Sequence, residues 1–123
     1  MKLDYDCIRY ILLKIEELDY DSSNIYLEDI VNETYDFPTV SYHIDLLLDN
    51  NYVEAKYMPI LGARYKQFII KRMTMQGHEY LSVVRDNGVW AKTKNELKKV
   101  SGYAPFDIVK TVATKFSLDI LGF

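Results

Sequence analysis

The chain is 123 residues long, which bounds it to one domain built on a single hydrophobic core. Apolar residues make up 49% of it, which excludes a disordered chain, and no apolar run reaches the length that spans a bilayer. Net charge is only −3, yet residues 1–54 carry 13 acidic and 3 basic side chains while residues 55–100 carry 10 basic and 3 acidic, so an anionic partner is not excluded.

Met1-Lys2-Leu3-Asp4 lacks the basic, apolar, small-residue order of a secretory signal, and a lone Cys7 cannot close an internal disulfide. Both observations imply a reducing, cytoplasmic setting. Asp4 is a candidate N-cap for a first helix over residues 5–18, where Tyr5, Ile8, Ile11, Leu12, Ile15 and Leu18 recur at helical spacing. Residues 19–24 read as a loop rich in side chains that bond their own backbone. A brief strand at 25–26 and a short helix over 27–33 follow. Pro38 suits the first position of a third helix, 39–50, whose core side is Val40, Ile44, Leu47 and Leu48. Tyr52 to Ala55 and Phe68 to Ile70 read as strands around a turn that contains Pro59 and Gly62. Thr74 can cap a helix over 75–85 with Tyr80, Leu81 and Val84 facing inward. Asn87-Gly88 is a turn signal, Trp90 starts a Lys-rich segment to residue 100, and Ser101-Gly102 breaks it. A last helix starts at Pro105 with an apolar stripe of Val109, Val112, Ala113, Phe116 and Ile120.

Helix, strand, turn, strand, helix over residues 38–81 is the outline of a winged helix-turn-helix. The expected fold is therefore mostly α with a small β-hairpin, an α+β winged helix over 1–86 and a helical extension over 87–123.

Met1-Lys2-Leu3-Asp4 leading to Leu12-Leu13-Lys14-Ile15-Glu16-Glu17 resembles the opening of a small bacterial and phage family, domain of unknown function 2513. Ser41-Tyr42-His43-Ile44, the segment from Thr74 to Leu81, the segment from Val89 to Lys94 and the terminal Leu121-Gly122-Phe123 fit it in order. Met75 departs from the aromatic residue expected there. The resemblance implies a winged-helix-like fold in a phage or prophage setting and carries no activity with it.

Catalysis has little to stand on. His43, His78 and Cys7 fall in three different expected helices, with no spacing typical of a metal site or of a nucleophile and its base. Adjacent Glu16 and Glu17 point to different sides of a helix, and no Gly-rich loop is present to cradle phosphate. No enzyme, metal or cofactor is expected. Gly77 lets the start of its helix approach the preceding strand closely.

The strongest signal for nucleic acid is the expected wing. Lys56, Arg64, Lys66, Lys71 and Arg72 lie between Ala55 and Arg72 without one carboxylate, and Tyr57 and Tyr65 alternate with them. Such cations can neutralise phosphates; they can equally guard a solvated edge strand. The side of the third helix that would enter a major groove holds Tyr42, Asp45, Leu46 and Asp49, with no Arg or Lys to read guanine. His43 can reach a phosphate or a base, or be a partly buried, hydrogen-bonded histidine. The apolar tip Met58-Pro59-Ile60-Leu61 can wedge into a minor groove, dock on a partner or fold back on the core.

Two readings follow. In the first, double-stranded DNA is the partner of a small regulator. Lys56, Arg64, Lys66, Lys71 and Arg72 grip phosphate, with Thr39, Tyr42 and His43 near the bases. In the second, the domain contacts protein, as a homodimer or against a host protein, through Tyr42, Leu46 and the C-terminal stripe with Val109 and Phe116.

Overall fold

The computed structural model describes residues 1–19, 24–99 and 104–123. In chain order the elements are α1 (Tyr5–Leu18), β1 (Ile25–Tyr26), one turn of 3-10 helix (Leu27–Asp29), α2 (Phe37–Asp49), β2 (Val53–Met58), β3 (Gln67–Met73), α3 (Met75–Val84), α4 (Asn87–Leu97) and α5 (Phe106–Ile120). They form two compact units, Met1–His78 and Glu79–Phe123. Most of the loop expected at 19–24 and the break expected at Ser101-Gly102 lie outside the described residues.

In the first unit, α1 starts where the Asp4 carboxylate accepts the backbone N–H of Asp6 at 2.9 Å and of Cys7 at 3.3 Å, two donors that a helix start otherwise leaves unpaired. Cys7, Ile8, Ile11, Leu12 and Ile15 are all fully buried along one side of it. Truncating a large aliphatic side chain in such a core to Ala costs about 2–5 kcal/mol. The sheet has the order β1-β3-β2 and is antiparallel throughout, with Ile25 opposite Ile70 and Tyr57 opposite Phe68. This is the winged-helix arrangement: a three-stranded sheet, α2 preceding its hairpin, and α3 following it.

Where the chain departs from expectation, local hydrogen bonding explains it. The helix expected over 27–33 is a single 3-10 turn. The Asn32 side chain accepts the N–H groups of Thr34 and Tyr35 at 2.9 and 2.7 Å, and the Asn32 N–H donates to the Tyr35 carbonyl at 3.0 Å. A side chain that takes the backbone donors in this way competes with helix continuation. The element before α2 is thereby reduced to a turn. Asp36, not Pro38, opens α2: its carboxylate accepts the Thr39 N–H at 3.0 Å, and Pro38 occupies the second helical position.

The end of α2 aims the hairpin. Asn51 has φ +60, its N–H donates to the Leu48 carbonyl at 3.0 Å, and the Tyr52 N–H donates to the Leu47 carbonyl at 2.9 Å. This pair of bonds is a Schellman cap, with Asn supplying the left-handed residue usually supplied by Gly. Val40, Ile44 and Leu47 are fully buried; Leu48, expected beside them, is half-buried at the helix edge.

In the second unit α4 and α5 pack on one another, and Tyr80 meets Phe106 edge-on with ring centroids 5.4 Å apart. Asn87 and Gly88 are not a turn. The Asp86 carboxylate accepts the Val89 N–H at 2.8 Å and draws both residues into the first turn of α4. Pro105 is the N-cap of α5, and of the expected stripe Val109 and Ala113 are fully buried while Ile120 is exposed. No helix among the described residues is long and apolar enough to cross a membrane.

Candidate nucleic-acid interface

The candidate surface is the β2–β3 hairpin together with the exposed side of α2. The hairpin alternates as a half-buried sheet should, with Phe68 and Ile70 inward. The alternation breaks at one place. Glu54 pairs with Arg72 and Ala55 with Ile70, leaving Lys71 as an extra residue on β3. This bulge returns Met73 to the core and leaves both Lys71 and Arg72 exposed. A strict period of two would have turned Arg72 inward.

All five expected phosphate-binding side chains are exposed, but three are engaged within the fold. Arg72 holds Glu54 with both Nε and Nη2, at 2.9 and 2.8 Å, across the paired strands. Lys66 Nζ lies 2.9 Å from Asp45 Oδ2 and 5.5 Å from the centre of the Tyr57 ring. The hydrogen bond and charge of Asp45 hold the Lys66 ammonium above the usual lysine range. Lys71 donates to the Asn24 side-chain oxygen at 2.8 Å. Lys56 and Arg64 point to solvent without an ion pair among the described residues. In both ion pairs each partner is open to water, so solvent screens the attraction.

On α2 the acidic character of the exposed side is partly cancelled. Asp45, which would meet a phosphate-lined groove, is neutralised by Lys66 from the wing, 21 residues on. Phe37 stacks on Tyr65 with centroids 5.9 Å apart and an interplanar angle of 20°, a second tie between α2 and the wing. Ser41 Oγ donates to the Lys66 carbonyl at 2.6 Å, a third. Together they bound a groove of about 260 Å³ whose walls include Pro38, Tyr42, Arg64 and Tyr65. Sequence spacing points to none of these pairings, because each joins residues far apart in the chain, on either side of β2.

Tyr42 and Leu46 are half-buried on this side, and Thr39 is half-buried near the start of α2. His43 is not there. Its ring is fully buried, with Nε2 accepting the Asp4 backbone N–H at 2.8 Å and Nδ1 lying 2.8 Å from the Thr39 carbonyl. Those partners assign Nδ1 as the donor and occupy both nitrogens, so His43 ties the start of α1 to α2 and has nothing left for a base. Val109 is likewise withdrawn as a partner contact, because its side chain is fully buried. Phe116 is half-buried, and Ile108 and Leu118 of α5 are exposed, neither of them singled out from the sequence.

The wing tip stays away from the core. Ile60 is 58% exposed and Leu61 fully exposed. Among the described residues no group of three or more His, Cys, Asp or Glu side chains is arranged to hold a metal ion.

Residues 2–104 match the family DUF2513, described as "Hypothetical protein (DUF2513)". An uncharacterized protein of Haemophilus influenzae is 33% identical over 113 residues, covering 92% of either chain. Among solved structures, a PadR family transcription regulator from hypervirulent Clostridium difficile R20291 is similar with a TM-score of 0.48 and 14% identity, over 78% of this chain and 98% of that one.

Proposed function

We infer that this chain, which belongs to the DUF2513 family, is a winged-helix DNA-binding regulator that grips the duplex backbone through its wing rather than reading bases with α2. The observation that carries this reading is the hairpin itself, where Lys56 and Arg64 stand exposed and without an ion pair among the described residues, in a stretch that lacks any carboxylate from Ala55 to His78. Lys66 and Arg72, held in weak exposed pairs, add to that field once a phosphate competes for them. Thr39 and Tyr42 border the same surface.

The test is binding to a random-sequence duplex over a series of salt concentrations. Replacing Lys56 and Arg64 with Ala should weaken binding at every sequence and reduce the salt slope by about one unit for each phosphate that the variant no longer neutralises. A wild-type chain that stays unbound at the lowest salt removes the reading.

A second reading has its own support. Ile108, Leu118 and Ile120 of α5 are exposed, and Tyr42 and Leu46 give α2 an amphipathic surface, both of which suit a protein contact with a second copy or another chain. Light scattering across concentrations separates the two, since a strict monomer that binds duplex favours the first.

A further inference from the structure

The apex of the wing is built like a wedge. The Ala63 N–H donates to the Ile60 carbonyl at 3.2 Å, closing a four-residue β-turn with Leu61 and Gly62 at its corners. Gly62 has φ +79, the left-handed value that the second corner of a type II turn requires and that glycine adopts without strain. The turn therefore presents Leu61 at the outermost point of the hairpin, fully exposed, with Ile60 beside it at 58%. Two large aliphatic side chains held outward by a fixed turn leave apolar surface in water, which is unfavourable and rewards whatever covers it. No described residue covers Leu61.

The charges around the apex choose the occupant. Arg64 lies two residues beyond the turn corner at Gly62, and Lys56 lies on β2, exposed and without an ion pair among the described residues. An aliphatic apex on a hairpin that carries exposed Lys56 and Arg64, and no acid from Ala55 to His78, matches a surface with dense negative charge outside and stackable apolar faces inside. Duplex DNA has both: phosphates line the rim of its minor groove, and base steps can part to admit an aliphatic side chain. That groove is about 6 Å wide, so it accepts a turn apex and not a helix.

We propose that Leu61, supported by Ile60, inserts from the wing tip into the minor groove of duplex DNA and partly unstacks a base step, while Arg64 and Lys56 hold the flanking phosphates. The proposal rests on the DNA-binding reading above and adds a deformation to it. An inserted apolar side chain releases no counterions, whereas a phosphate contact does. The two contributions therefore separate by experiment.

The full-length chain is titrated onto a random duplex carrying an unstacking-sensitive fluorescent purine, with wild type, Leu61→Ser and Arg64→Ala in parallel. Wild type should raise the purine's fluorescence on binding. Leu61→Ser should abolish that rise and weaken binding by about tenfold with an unchanged salt slope. Arg64→Ala should instead lower the slope. Because Leu61 is fully exposed, its replacement should leave the thermal midpoint unmoved, and that is measured as a control. Wild-type binding without a fluorescence rise, or equal affinity of Leu61→Ser, overturns the wedge and leaves the DNA reading standing. No binding at any salt overturns both. A dimer that dissociates on Leu61→Ser makes a second copy the occupant and overturns the wedge as well.

Discussion

At the scale of single residues, burial decides which polar groups are available and which are structural. Cys7 is fully buried, and burial together with the charge of Asp4 pushes its thiol from an ordinary 9.0 up to about 12. Tyr35 is pushed from 10.0 to about 12 by burial first and then by Asp4. In both cases the folded chain keeps a proton that the unfolded chain releases, so the unfolded state binds fewer protons above its own pKa. Stability is then full below about pH 9 and falls as pH rises toward 12. The urea midpoint should decline across that window, and less steeply in Cys7→Ala; a midpoint that is flat from pH 9 to 12 refutes it. His43 is likewise settled by what surrounds it. In the sequence it sits one residue from Tyr42 on an amphipathic helix, where either a surface or a core position fits. Only the arrival of the Asp4 N–H at its Nε2 resolves the choice.

At the scale of elements, the joint between β3 and α3 is held by a dense set of short contacts. Thr74 Oγ1 donates to the Asn51 carbonyl at 2.6 Å and accepts the Gly77 N–H at 3.1 Å, and the Thr74 N–H donates to the Tyr52 carbonyl at 3.0 Å. A Cβ on Gly77 would sit 2.2 Å from the Tyr52 carbonyl oxygen and 2.5 Å from Met73 Cγ. Gly77→Ala should gain about 1 kcal/mol of helix propensity and still be less stable by about 2 kcal/mol, because a backbone atom has to move. A Tm equal to or above wild type contradicts this. The close approach is legible in the sequence as a glycine in the first turn of a helix. Its backbone partner, Tyr52 at the entry to β2 rather than the preceding strand, is not. Most element types are readable because α1, α2 and α5 carry long periodic apolar runs. The two places that read differently, 27–33 and Asn87-Gly88, are where one side chain, Asn32 or Asp86, redirects the backbone.

For the molecule as a whole, electrostatics is the property on which the proposed function depends, and folding rearranges it. The acidic half of the sequence supplies Glu54 and Asp45 to the basic hairpin, so two of the five wing cations are paired by carboxylates and a third by Asn24. Asp45→Ala should therefore tighten duplex binding and steepen its salt dependence by up to about one unit, since it removes an anion from the interface and frees Lys66. Weaker binding of that variant, measured at fixed low salt, contradicts the assignment of this surface. The winged-helix order of elements, the main core positions and the run of cations without acids are all present in the sequence alone, because they depend on periodicity and composition within short windows. Which cations remain available, that His43 and Val109 are buried, and that Leu61 stands at an uncovered apex came only with tertiary structure. Those outcomes depend on contacts such as Asp45 with Lys66 and Asp4 with His43, which join positions 21 and 39 residues apart. No local pattern encodes a distance that only the folded chain creates.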